Sequence, residues 1–322
     1  MKAMERAQAL SSQHGARTQP LVSAVPLTAF LAALLVVVLW ASAFPGIRAG
    51  LHAFGPPEVA LLRYAVASCV LAIYAVIARL PLPRLRDIPG IALTGAVGIA
   101  LYNLLLNAGE VRTSSGVASF IVASAPVFMA VESRLFLKER VRLWGWGGIL
   151  LSFAGVAVIA LGASGAGVAV NLSAFLVLGA AVAQSIYFVA QKPFLRRYTA
   201  VQYTTYAVWA GTLLLLPFAP GLVSQIRTAP PDTTLAVVYL GVFPGAVGYV
   251  VWAYALARLS AWVAGSFLYL VPAFSIGIAW LWLGEVPTTL SLFGGVVVII
   301  GVIVVNTLGK KQRMNTSKTE SL

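Results

Sequence analysis

Acidic side chains are scarce in this chain, nine Asp and Glu in 322 residues, and the residue types that build most enzyme sites are scarcer still. One cysteine, Cys69, excludes an intramolecular disulfide. Two histidines, His14 and His52, fall in a polar tail and a loop, so neither His nor Cys is paired as metal ligation requires. No glycine-rich loop able to cradle phosphate is present. No metal site or cofactor is expected. Charged residues of both signs make up 10% of the chain and hydrophobic residues 60%, with a mean hydropathy of +0.92. That leaves too little polar surface for water, and a lipid bilayer is the solvent the composition calls for.

About 20 apolar residues span the hydrocarbon as a helix. On that basis ten segments are expected, at 27–47, 58–78, 88–109, 115–136, 143–162, 171–190, 201–218, 234–255, 261–283 and 288–308. Turn and charge signals such as Pro56-Pro57, Asp87, Pro89, Pro193, Pro230-Pro231 and Pro287 bound them. The ends, 1–26 and 309–322, read as polar tails. Basic residues before 27–40, followed by Ala41-Ser42-Ala43, imitate a cleavable signal peptide. However, Leu27, Ala29, Phe30 and Leu31 recur as Leu172, Ala174, Phe175 and Leu176, so the segment is expected to be a retained repeat element.

The net charge of +13 does not form a nucleic-acid patch, because basic residues alternate from loop to loop. With the N-terminus inside, 18 of the 22 Lys and Arg fall on the inner side. Only Arg48, Arg112 and Arg227 fall outside, and Arg63 lies within a helix. Both termini are therefore expected in the cytoplasm.

Residues 92–161 reappear without a gap as 238–307, a shift of 146 positions. Arg112 falls on Arg258, Pro126 on Pro272, Glu139 on Glu285, Gly148 on Gly294 and Gly155 on Gly301. Five helices per copy is an odd number, so the second copy, 166–308, must cross the membrane opposite to the first, 27–165. The expected fold is an all-α polytopic membrane protein of two inverted-topology repeats, N-in and C-in. Such repeats place a site at the pseudo-two-fold near the midplane and work by alternating access.

Polar groups within the helices mark the candidate cavity, since hydrocarbon penalises them unless they face a cavity or a partner. The candidates are Trp40, Ser42, Tyr102, Asn103, Gln184, Tyr187, Tyr206, Tyr249, Trp252 and Tyr269, a set suited to hydrogen-bonding a zwitterion and stacking on an apolar or aromatic side chain. Each such residue can instead join neighbouring helices. Arg63 either holds a substrate carboxylate, or snorkels outward, or pairs with Glu58 or a helix-end carbonyl. Glu139 and Glu285 read as structural, each placed to cap the helix that follows it. Pro126, Pro272, Gly148 and Gly294 read as packing or hinge points in a central scaffold.

The run Trp40-Ala-Ser42-Ala-Phe44 with Arg48, Pro56-Pro57, Leu62-Arg63-Tyr64, Ser124-Ala-Pro126 followed by Glu139, and Tyr269-Leu-Val-Pro272 followed by Gly284-Glu285 resembles the ten-helix, EamA-type drug/metabolite transporter superfamily. The likeness covers residues 27–308. It implies export of small metabolites, often amino acids, across a bacterial inner membrane, and the cavity-range aromatics look similar to those of the aromatic amino acid exporters. Nucleosides or cationic compounds are the alternative cargo; a channel and an intramembrane enzyme are alternatives of other classes. No carboxylate sits mid-helix in the first segment, where the related small multidrug pumps resemble one another in carrying a glutamate. The expected partners are a small-molecule substrate and lipid, with the chain a monomer or a homodimer.

Overall fold

The computed structural model describes residues 27–112, 115–139, 142–163, 172–283 and 289–308. Every regular element among them is helical. They are α1 Leu27–Ala41, α2 Ala43–Leu51, α3 Pro56–Ile77, α4 Ile88–Gly95, α5 Tyr102–Glu110, α6 Ser115–Val122, α7 Ala125–Phe136, α8 Leu143–Ala163 and α9 Leu172–Ala190. There follow α10 Ala200–Leu215, α11 Ala219–Ile226, α12 Pro231–Leu240, α13 Gly248–Arg258, α14 Ala261–Phe267, α15 Leu270–Leu283 and α16 Thr289–Thr307.

Seven helical stretches among the described residues are long and apolar enough to cross a membrane: Leu27–Leu51, Pro56–Ile77, Leu85–Glu110, Ala118–Phe136, Phe175–Arg196, Ala200–Ile226 and Pro231–Arg258. Three shorter apolar helices, Leu143–Gly155, Ala261–Ser275 and Leu292–Val305, accompany them. Leu31, Ile73, Val76, Ile77, Phe175, Leu213 and Ile303 are exposed on the outside of the bundle. This apolar exterior is what a chain solvated by lipid presents.

Several expected helices are interrupted, and proline explains where. Proline lacks an N–H, so the carbonyl four residues earlier loses its partner. Pro45 leaves the Ala41 carbonyl without its bond and separates α1 from α2. Pro126 does the same to Val122 between α6 and α7, and Pro272 to Leu268 between α14 and α15. The last two breaks occupy equivalent places in the two copies. A second matched pair was not legible in the sequence: Ala96–Leu101 and Gly241–Val247 are both π-helical turns, the latter containing Pro244. π-Turns inside helices are frequent at functional sites.

Helix α8 packs along α16, its repeat equivalent. A Cβ on Gly148 would lie 2.9 Å from the Gly301 carbonyl oxygen and 2.7 Å from the Val305 side chain. A Cβ on Gly155 would lie 2.9 Å from the Gly294 carbonyl oxygen and 2.7 Å from the Val298 nitrogen. Early residues of one helix thus meet late residues of the other, so the pair runs antiparallel. Ser152 Oγ donates to the Val298 carbonyl oxygen at 3.4 Å, and Val298 is the position 146 residues on from Ser152. The pseudo-two-fold therefore passes between them. Only glycine permits this backbone approach, in the manner of small-residue packing between membrane helices.

Polar contacts tie loop to loop. Glu139 accepts from Lys192 Nζ at 2.5 Å and from the Ala261 backbone N–H at 3.0 Å, and Lys192 also donates to the Leu259 carbonyl. Glu139 thus reaches the first residue of α14, in the other repeat, rather than capping the helix that follows it. Glu285 lies outside the described residues. Asp87 accepts from Arg197 Nη1 and Tyr198 Oη, both at 2.7 Å, and Gln225 Oε1 accepts from the Gly55 N–H at 2.9 Å.

Candidate functional site

A cavity of about 510 Å³ opens between α1–α2, α3, α5, α6, α9, α13 and the α14–α15 break. Trp40, Phe44, Ile47, Leu106, Val122, Leu268 and Val271 supply apolar wall, and Arg63, Tyr102, Gln184, Tyr249 and Ser119 supply polar groups. Of the residues singled out from the sequence, Trp40, Arg63, Tyr102, Gln184 and Tyr249 line this cavity.

Its aromatic side is a continuous stack. The Trp40 ring lies parallel to Phe188 at 5.5 Å and meets Tyr249 and Trp252, each at 5.4 Å. Phe188 meets Trp252 at 4.6 Å, and Tyr187 meets Tyr249 at 5.9 Å. The stack is oriented by backbone: Trp40 Nε1 donates to the Pro244 carbonyl oxygen at 3.1 Å, and Tyr249 Oη to that of Gly98 at 3.4 Å. Both carbonyls lie in the two π-turns, where helical bonding is displaced and oxygens become available to side chains. Gly98 also leaves room for the Tyr187 ring, which packs where a Cβ would stand. Tyr187 and Trp252 therefore support the cavity wall from behind.

The opposite side is charged. Arg63 is 3% exposed, in the second turn of α3. Its Nη1 donates to Asn103 Oδ1 at 3.2 Å, and its guanidinium carbon lies 5.3 Å from the Tyr64 ring centroid. Asn103, 0% exposed, is held in turn: Nδ2 donates to Tyr64 Oη at 3.1 Å and to the Ile99 carbonyl oxygen at 2.8 Å. Among the described residues Arg63 forms no ion pair, and its Nε has no hydrogen-bond partner. The arginine neither snorkels nor pairs with Glu58, whose carboxylate lies against Gly55 and Gly221. Tyr102 and Gln184 lie close to each other in the cavity wall.

Three sequence candidates stand elsewhere. Tyr206 donates to the Pro81 carbonyl oxygen and meets Trp209 edge-on at 5.9 Å. Ser42 bonds the Leu39 carbonyl oxygen at 2.8 Å and Tyr239 Oη at 2.7 Å, bridging the α1–α2 break to α12. Tyr269 is fully buried beside the wall residues Leu268 and Val271 but does not line the cavity. Conversely, the lining residues Phe44, Ile47 and Leu106, and Phe188 stacked on Trp40, were not singled out for the cavity in the sequence, because an apolar residue in an apolar helix carries no signal of which way it faces.

A polytopic helical membrane protein with an amphipathic cavity between matched halves is the class these features define. The EamA-like transporter family matches this chain twice, over residues 27–161 and 171–307. The chain belongs to that family and is a membrane transporter. It is 46% identical over 287 residues, covering 88% of this chain and 96% of the relative, to a probable terminal-alkyne amino-acid exporter of Streptantibioticus cattleyicolor. It is 27% identical over 291 residues, 87% of this chain and 95% of the relative, to a probable amino-acid metabolite efflux pump of Salmonella typhimurium. A crystal structure at 19% identity superposes with a TM-score of 0.70 over 87% of this chain and 97% of the other, which establishes the shared fold.

Proposed function

We propose that this transporter exports α-amino acids with apolar or aromatic side chains across the bacterial inner membrane by alternating access. The observation that carries the reading is Arg63: a buried cation in the cavity wall whose one hydrogen-bonded side-chain partner among the described residues is the neutral Asn103. An arginine in a low-dielectric site without a carboxylate is costly, and its fork matches a carboxylate in two-point geometry. A substrate carboxylate on Arg63 offsets that cost, Tyr102 and Gln184 bind the amino end, and the Trp40–Tyr249 surface takes the side chain. The names of the two relatives agree with an amino-acid substrate.

In this reading the three shorter apolar helices also cross the bilayer, which makes ten, arranged as inverted repeats at 27–165 and 166–308 with tails at 1–26 and 309–322 in the cytoplasm. The antiparallel α8–α16 contact supports the inversion. Loops expected on one side also meet one another: 137–139 with 192 and 259–261, and 87 with 197–198, on the inner side; 55 with 225 on the outer side. The prolines at the matched helix breaks, Pro126 and Pro272, are where the halves exchange conformations, and Gly148 and Gly294 belong to the scaffold between them.

Counterflow in proteoliposomes across amino acids, their esters and amides, nucleosides and cationic compounds tests this. Amino acids with a free carboxylate should exchange and their amides should not, and Arg63→Ala should abolish exchange. Exchange of cationic compounds in preference to amino acids would overturn it. So would chemical change of a lipid-soluble substrate without flux, which marks an enzyme; flux that does not saturate marks a channel.

A further inference from the structure

The cavity occupies one half of the path across the molecule. Ile47 and Leu106 lie toward the ends of α2 and α5, and Ser119 near the start of α6, all on the side expected outside; Trp40, Gln184 and Tyr249 lie deeper in their spans. The duplication relates each lining position to one in the other copy, by a shift of 145 in the first helix, where Leu27 recurs as Leu172, and of 146 from residue 92 onward. Val122 and Leu268 are such a pair and both line the cavity, so the pseudo-two-fold passes between the α6–α7 and α14–α15 breaks. Four other lining residues have counterparts that do not line it: Ala43 maps to Phe188, Ile47 to Lys192, Leu106 to Trp252 and Ala123 to Tyr269.

Those counterparts are packed shut. Phe188, Trp252 and Tyr269 are fully buried, and the Phe188 and Trp252 rings lie 4.6 Å apart. Yet Trp252 Nε1 and Tyr269 Oη have no hydrogen-bond partner among the described residues. A buried polar group without a partner is costly, and both occupy positions that line an open cavity in the other copy. Lys192 is held by the Glu139 ion pair at 2.5 Å and by the Leu259 carbonyl oxygen at 2.9 Å. Glu139 in turn holds the Ala261 N–H at 3.0 Å. Opening this side as the other side is open here puts Lys192 where Ile47 now stands, in the wall, and parts it from Glu139.

We propose that Phe188, Lys192, Trp252 and Tyr269 form a cytoplasmic entry site for the exported amino acid, closed in this structure. The inference rests on the inverted-repeat and amino-acid readings given above. With the inner side open, the Lys192 ammonium exchanges the Glu139 carboxylate for that of the substrate. The Phe188 and Trp252 rings receive the side chain; Trp252 Nε1 adds a donor to the carboxylate, and Tyr269 Oη an acceptor for the amino group. Once the halves have exchanged conformations, Arg63 takes the carboxylate. Each end of the path thus has its own cation, and an exporter loads at the Lys192 end.

The test compares uptake of a transported amino acid into everted vesicles, which present the cytoplasmic face, with uptake into right-side-out vesicles. Lys192→Gln should raise the KM at the cytoplasmic face by about 10- to 150-fold, the worth of a hydrogen bond to a charged group, and leave the KM at the outer face unchanged. Lys192→Arg should restore most of the loss. Glu139→Gln breaks the same ion pair and should keep or lower the cytoplasmic KM. An unchanged cytoplasmic KM in Lys192→Gln overturns the proposal, as does an equal rise in Glu139→Gln, which would make the pair a clasp alone. Should Lys192→Gln fail to reach the membrane, Val189→Cys in a Cys69→Ser background gives the answer, Val189 being the buried counterpart of the lining residue Phe44. A membrane-impermeant maleimide should label it from the cytoplasmic face, and saturating amino acid should slow the labelling; absence of labelling, or labelling indifferent to the amino acid, overturns the site. A wild type that moves no amino acid from either face sinks the transport reading and the entry site with it, whereas transport whose cytoplasmic KM ignores Lys192→Gln sinks the entry site alone.

Discussion

Replacing Asn103 by alanine should damage stability and substrate affinity together, and the structure sets the size of each effect. Asn103 accepts one bond from the buried Arg63 guanidinium and donates two, to Tyr64 Oη and the Ile99 carbonyl oxygen. Removing the acceptor of a charged donor costs about 1.5–3 kcal/mol, and the lost neutral bond to Tyr64 about 0.5–1.5 kcal/mol. The higher helix propensity of alanine returns about 0.5 kcal/mol, which leaves a net loss of about 1.5–4 kcal/mol. Arg63, no longer oriented, must be immobilised again by the substrate at about 0.5–1.5 kcal/mol, or roughly 2- to 12-fold in Kd. The assay is thermal unfolding in detergent and binding in nanodiscs, both as a double-mutant cycle with Arg63→Ala. The coupling between the two sites should be about 1–2 kcal/mol, within the range for residues in one network. If Asn103→Ala costs the same stability with Arg63 present as with it absent, the bond contributes nothing and the reasoning fails.

Gly98→Val should abolish transport while leaving membrane insertion intact, because its Cβ would occupy the space of the Tyr187 ring and push it into the cavity wall; wild-type counterflow would contradict this. Gly155→Val should lower thermal stability by about 1–3 kcal/mol or more, the cost of overpacking, since the obstructing atoms include the Val298 nitrogen and Gly294 oxygen of the facing backbone. An unshifted unfolding temperature would remove α8–α16 from the scaffold. Glu139→Gln should cost about 1–2 kcal/mol, from loss of charge-assisted bonds to Lys192 and the α14 N-terminus, with affinity for substrate retained; loss of affinity at unchanged stability would show that Glu139 belongs to the site.

The sequence made the helical segments, the duplication and most of the polar cavity lining legible, because each rests on a regularity that survives in one dimension. Apolar length marks a span, a constant shift of 146 marks a repeat, and a polar residue in an apolar helix stands out. Tyr102, Gln184 and Arg63 were found that way. Ile47 and Leu106 were not, since nothing local tells an apolar residue whether it meets lipid or cavity. The π-turns escaped too: Pro244 hinted at one, but Ala96–Leu101 contains no proline.

The solvent, the helical class and the two-copy plan all follow from composition and period: hydrocarbon admits few backbone solutions, and a repeated pattern repeats its fold. Which residues become partners depends on the packed fold. It put Arg63 beside Asn103 rather than Glu58, drew Glu139 to α14, and moved Tyr206 and Ser42 out of the cavity lining. These outcomes depend on which helices adjoin and how each is rotated. That is settled by close packing between distant segments, where a missing Cβ at Gly98, Gly148 or Gly155 decides what can approach.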